Sequence, residues 1–189
     1  MYACEFVQDL LYRTIRREIY FRALLRYGEF NHDRLQNIEC FYGEALIDSY
    51  RKEKGIGCTG LLIHSSCQRF NKIFPMSKYD DEVSFVYLNQ SLERLNLVSQ
   101  GLLPISPIYL EGADELWRIV WDVKLLENIN RLMTQHGDPR VRAKFQATWH
   151  LYEMRYRDLL HALEENDFNL ESICPRYDWT RRLDQFAEE

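Results

Sequence analysis

The sequence predicts an α+β fold, with about three strands and their packed helices at the front and a helical extension behind. Residues 21–27 alternate apolar and polar positions, Phe21, Ala23, Leu25 and Tyr27 against Arg22, Leu24 and Arg26, as a strand with one buried face does. Two further short apolar runs, 60–64 and 83–88, are of buried-strand type. Beyond Leu88 the apolar spacing becomes helical and remains so. A chain of 189 residues, 46% hydrophobic and 14% aromatic, is long and apolar enough for a proper core.

The first helix is predicted over residues 5–20, with Phe6, Val7, Leu10, Leu11, Thr14, Ile15 and Ile19 on one face. Arg13, Arg16 and Arg17 lie opposite, as a solvated face would. No Ser, Thr, Asp or Asn cap precedes it, and Met1 falls almost directly on it, as it would in a chain cut inside a larger domain. After the first strand Gly28 makes a turn, and the polar stretch Asn31 to Asn37 is expected to be a loop. Gly43 opens a helix over 44–54, with Ala45, Leu46, Ser49 and Tyr50 expected inward and Gly55 and Gly57 ending it.

The strand 60–64 leads through Ser65 and Ser66, expected caps, into a turn carrying Cys67, Phe70 and Ile73. Residues 74–82 are predicted as loop and 83–88 as strand. Helices follow at 89–100, at 113–136 and from Pro139 to about Glu165, with a linker holding Pro104 and Pro107 after the first of them. The last stretch, 166–189, is expected to pack through Tyr177 and Trp179 and then fray. The expected organisation is a front unit, 1–101, and a helical extension, 102–189, packed on it.

Composition excludes few classes firmly but favours some. A net charge of −5 gives no electrostatic reason to expect nucleic acid or an anionic membrane as partner. The five cysteines are odd in number and irregular in spacing, with no CxxC pair and no zinc-finger pattern. Free thiols in a reducing compartment are the natural reading. No basic-then-apolar leader and no bilayer-length apolar run is present, so the expected location is the cytoplasm.

Three segments, ALLRYGEF, FYGEALIDSYRKE and GLLIHSS, occur in the order strand, Gly turn, loop, aromatic-Gly, helix, strand. That order resembles the second half of a class III nucleotidyl cyclase domain, and looks most like the bacterial Pycsar cyclases, which make cyclic pyrimidine nucleotides in anti-phage signalling. VYLNQSLERL and VRAKFQATWHLYEMR resemble that group's final strand and closing helix, so the likeness spans roughly residues 6 to 155. The resemblance implies a partial ferredoxin-like sheet. It also implies a family reaction in which a nucleoside triphosphate closes to a cyclic monophosphate with release of pyrophosphate. In that family two metal ions, Mg or Mn, held by two aspartates activate the 3′-hydroxyl. A cationic side chain and a polar group steady the charge on phosphorus.

Carried over residue by residue, the likeness implies a phosphate contact for Arg51. Ile47 stands where ordinary class III cyclases carry a hydrogen-bonding Asn. Cys40 falls at a base-selecting position two residues before Tyr42, and Asp48 is a further nucleotide-facing candidate. Gly28 and Gly43 serve backbone turns. Each has a plainer reading as well: Arg51 as a solvated cation, Cys40 as a small buried hydrophobe, Tyr50 as a core ring, Asp48 facing only water. The metal-binding aspartates belong to strands ahead of the first helix and have no counterpart here, so no cofactor is expected for this chain.

The expected function is therefore a cyclase-like protein inactive by itself. One alternative is an active cyclase beginning upstream of Met1, and another is a helical regulatory module that uses 113–165 against a partner. A homodimer is expected, since the Phe21–Tyr27 strand would be an unprotected sheet edge. A nucleoside triphosphate is the candidate small partner.

Overall fold

The computed structural model describes residues 2–94, 113–175 and 179. The fold is α+β: a four-stranded mixed sheet, a separate β-hairpin, and helices packed on the sheet. The front half contains α1 (Tyr2–Ile15), β1 (Arg22–Leu25), β2 (Asn31–Leu35), β3 (Ile38–Tyr42), α2 (Glu44–Lys54), β4 (Gly60–His64), α3 (Ser65–Gln68), β5 (Met76–Lys78) and β6 (Val83–Val86). A 3-10 turn, Gln90–Arg94, follows β6. The back half contains α4 (Ala113–Gln135), α5 (Pro139–Glu165) and α6 (Leu170–Ile173).

The sheet order is β1-β4-β6-β5, with β1 and β4 parallel and the other neighbours antiparallel. A parallel pair needs a crossover, and here the hairpin and α2 supply it. β4 is central and its Leu61, Leu62 and Ile63 are buried, which is why it reads as an unbroken apolar run. β1 lies at the sheet edge, with all four of its residues half-buried.

One continuous core joins α1, the sheet and the two long helices. Phe85 on β6 and Tyr87 just beyond it meet Tyr152 and Tyr156 on α5 edge-on, with ring centroids 5.6 to 5.8 Å apart. Gly60 takes φ +112°, and a Cβ there would lie 2.9 Å from the Phe85 ring, so this position favours glycine twice over. α4 contributes Ile119, Val123, Leu126 and Ile129 to the same core. The inward stripe of 113–165 is thus used within the chain.

Several expectations need correction. The Asn31 to Asn37 stretch is not a loop but β2 and a two-residue turn, Gln36-Asn37, into β3. Gln36 adopts φ 45°, a conformation usually signalled by glycine or asparagine, so the turn carried no sequence mark. Residues 74–82 include β5. The first helix stops at Ile15 instead of Tyr20, with Glu18 at φ 52° beyond it. α3 is capped not by Ser65 or Ser66 but by His64, whose Nδ1 accepts the Ser66 N–H at 3.1 Å.

α2 has the expected bounds but not the expected inner face. Only Ala45 is buried; Leu46 and Tyr50 are exposed, and the Lys54 ammonium sits 4.2 Å over the Tyr50 ring. The side chains that face the sheet are charged. Arg22 Nε donates to Glu53 at 2.8 Å, Arg26 to Asp48 at 2.9 Å, and Lys52 bridges Asp80 and Glu82 at 3.0 and 2.6 Å.

Farther along, α5 is broken by non-helical angles at Tyr156 but otherwise runs as predicted. The second half of the 89–100 helix, the Pro104–Pro107 linker and Tyr177 lie outside the described residues. Trp179 is buried as expected, and its indole N–H donates to the Cys174 carbonyl at 2.9 Å.

Candidate functional site

An open cleft lies between the β2–β3 hairpin and the first turns of α2, lined by Glu29, Asn31, Tyr42, Gly43, Glu44, Ile47, Asp48 and Arg51. Its shape follows from one glycine. Gly43 has φ +139°, and a Cβ there would fall 2.4 Å from the Glu29 carbonyl oxygen. That oxygen accepts the Ala45 N–H at 3.2 Å, so the chain entering β2 and the start of α2 are held together. Gly28 abuts the same point, where a Cβ would lie 3.0 Å from the Ala45 Cβ. The backbone roles expected for Gly28 and Gly43 thus have a steric cause.

The polar groups of the cleft are largely engaged with one another. Tyr42 donates its hydroxyl to Asp33 across the hairpin at 2.5 Å. That hydrogen bond, with the carboxylate's charge, holds the Tyr42 phenol above its ordinary value. Asn31 Nδ2 donates to Glu29 at 3.2 Å. Asp48 pairs with Arg26 at 2.9 Å on the sheet side and stands 3.9 Å from Arg51 on the cleft side. Arg51 itself is 76% exposed, which leaves its guanidinium free to swing toward a ligand. Ile47 presents an apolar, half-exposed side chain between them.

The structure therefore brings Tyr42, Gly43, Asp48 and Arg51 to one cleft, with Ile47 among them. Gly28 stands behind it. Cys40 is not part of the lining: it is half-buried on β3, where it pairs across the hairpin with Asp33. Tyr50 is not part of the lining and is an exposed ring instead of a core one.

Sequence reasoning missed the ionic seam behind α2. Lys52 is held charged to higher pH, first by its hydrogen bond to Glu82 and then by that to Asp80. Lys52 in turn holds Glu82 low. Beside them His64 is pushed below its ordinary value, by burial first and by Arg26 second, which favours the neutral ring that caps α3. The seam's pairs join residues 22 to 31 positions apart in the chain, so no local spacing in the sequence marked them.

Asp48 is committed to Arg26, and among the described residues no group of three or more His, Cys, Asp or Glu could hold a metal ion. No helix among them is long and apolar enough to cross a membrane. No family model matches this chain, and neither a curated protein nor a solved structure matches it.

Proposed function

We propose that this chain is a nucleotidyl-cyclase-like protein that does not cyclise nucleotides by itself, and that its cleft meets a phosphate group through Arg51. The observation that supports this reading is the gathering of Tyr42, Gly43, Asp48 and Arg51 in one open groove between hairpin and helix. Those residue types occur there in the order that resembles the cyclase motif, and the turn at Gly43 aims the first turns of α2 at the groove.

The electrostatics argue for contact without turnover. Three carboxylates, Glu29, Glu44 and Asp48, share the cleft with a single guanidinium, which disfavours a polyphosphate not escorted by cations. Ile47 offers no hydrogen bond where charge would build on phosphorus. A helical interaction module is less favoured, because α4 and α5 bury their apolar stripes against the chain's own sheet.

Incubation with ATP, GTP, CTP or UTP and manganese, followed by chromatography, tests the reading. No cyclic nucleotide is expected. Robust turnover would overturn the proposal and support the active-cyclase alternative. Titration calorimetry with the same nucleotides tests the phosphate contact separately, and binding unchanged in Arg51→Ala would remove Arg51 from it.

A further inference from the structure

α2 turns one stripe toward the cleft: Glu44, Ile47, Asp48 and Arg51, spaced three and four residues apart as one helix face requires. Three members of that stripe are charged and one is apolar. Ile47 is 50% exposed on the helix wall, and Tyr42 is 49% exposed on the hairpin wall. The Tyr42 hydroxyl is tied to Asp33, which holds the ring in place. One aliphatic and one aromatic surface thus stand uncovered in the same groove, where a flat ring can enter and cover both.

Arg51 follows Ile47 by four residues, about 5.4 Å along the helix. A ligand with its ring at Tyr42 and Ile47 and its anion at Arg51 needs only a short spacer, about the span of one sugar. The lining also limits the charge of that anion. One guanidinium shares the cleft with three carboxylates, Glu29, Glu44 and Asp48, and Asp48 already stands 3.9 Å from it. A phosphodiester brings one negative charge and two free oxygens, which a guanidinium meets with two parallel N–H bonds. A triphosphate brings several charges, of which Arg51 offsets one. Each further negative charge at about 6 Å from one carboxylate costs about threefold in affinity in water. A polymer of phosphodiesters is disfavoured by the net charge of −5.

We propose that the cleft is a binding site for a small, singly charged phosphodiester of a nucleoside, a 3′,5′-cyclic nucleotide, with its base between Tyr42 and Ile47 and its phosphate on Arg51. The inference rests on the Arg51 phosphate contact proposed above and adds to it the charge and the ring of the ligand. The cleft then acts as a receptor, in which no bond is made or broken.

Titration calorimetry of the full chain tests this with four probes. They are the 3′,5′-cyclic monophosphates, the 5′-triphosphates of the same bases, dimethyl phosphate, and a short single-stranded RNA. The cyclic nucleotides are expected to bind about tenfold tighter than the triphosphates, with the gap narrowing in 1 M sodium chloride. Dimethyl phosphate, which has the charge but no ring, is expected to bind far more weakly. Ile47→Gln is expected to weaken the cyclic nucleotides several-fold and leave melting nearly unchanged, since Ile47 is not part of the core. Glu44→Gln is expected to strengthen the triphosphates more than the cyclic nucleotides. Triphosphates that bind as tightly as the cyclic nucleotides, with or without magnesium, would overturn the inference and leave the Arg51 contact standing. Dimethyl phosphate equal to the cyclic nucleotides, or RNA tighter than them, would overturn it as well. Affinities unmoved by Arg51→Ala, or no binding of any nucleotide, would instead remove the phosphate contact on which it rests.

Discussion

Tyr12 on α1 donates its hydroxyl hydrogen to the carboxylate of Asp122 on α4 at 2.9 Å, joining two elements 110 residues apart in the chain. Asn89 and Ser91, just before and within the 3-10 turn, donate to the same carboxylate. Tyr152 on α5 donates to the Asn89 side-chain oxygen. One buried acid thus ties together α1, the exit from the sheet and both long helices. Asp122 is fully buried, with no cation in an ion pair with it among the described residues, and burial pushes its carboxyl up to about 7 despite the three donors and the charge of Arg118.

This shift predicts a pH dependence of stability. Folding raises the proton affinity of the carboxyl above its unfolded value of about 3.9. Its stabilising contribution is complete below that value, declines as the pH rises to about 7, and stays lost above it. The difference between the two values corresponds to on the order of 4 kcal/mol. Asp122→Asn should remove this slope, at a cost of about 1–3 kcal/mol near pH 5, because the amide sets an NH2 group where one acid oxygen had met the surrounding donors. Urea unfolding from pH 4 to 8 measures both. An unchanged slope in the variant would show that Asp122 does not titrate as its burial demands.

Gly43 predicts a local effect. Its φ of +139° and the 2.4 Å approach to the Glu29 oxygen leave no room for a methyl group. Gly43→Ala should cost about 1–3 kcal/mol and should speed amide exchange in the hairpin and the first turn of α2. Gly137→Ala is the control, since a Cβ there meets nothing within 4 Å. Thermal melts of the two variants should separate clearly.

How far the sequence exposed this fold varied with the kind of signal. The long helices were legible because their cores are apolar at helical spacing and their junction carries strong marks. Asp138 accepts the Arg140 N–H at 2.8 Å and Pro139 opens α5, as the Gly-Asp-Pro triplet suggests. The glycines at 43 and 55 gave the limits of α2. Its inner face was illegible, because counting apolar residues cannot reveal a helix held by Arg22, Arg26 and Lys52. The hairpin was hidden by a polar strand and a Gln36 in a glycine-like conformation. In the cleft, the order of the motifs singled out Tyr42, Asp48 and Arg51, which line one groove, while Cys40, one strand repeat farther along β3 and opposite Asp33, lies outside that lining.

The seam behind α2 should make that helix the salt-sensitive part of the molecule. Its attachment rests on pairs that are partly exposed, and such pairs weaken as ions screen them. Hydrogen exchange in 1 M sodium chloride should accelerate in α2 and leave α4 and α5 unchanged. Arg22→Met keeps the stem but loses the bonds to Glu53 and to the Ile56 carbonyl. A loss of about 1–2 kcal/mol is expected, the scale of a hydrogen bond to a charged group. Equal acceleration across all helices would mean that α2 is held by packing instead.

The cleft itself supplies the last prediction. Arg51 is the only cation in the lining, and Asp48 restrains it from 3.9 Å while facing Arg26 at 2.9 Å. Asp48→Asn therefore has two effects of opposite sense. It removes one of three carboxylates from the cleft and releases Arg51, and it also breaks the Arg26 pair that holds α2 to β1. Nucleotide binding by titration calorimetry should strengthen several-fold in this variant, while the melting temperature falls. Glu44→Gln lowers the negative charge of the cleft without touching the seam, so it should strengthen binding and lower the melting temperature only slightly, by the loss of one acid from the first turn of α2. Arg51→Ala should weaken binding about tenfold, the scale of one charge-assisted hydrogen bond. If Glu44→Gln and Arg51→Ala change affinity in the same direction, phosphate recognition by Arg51 is the wrong account of the cleft.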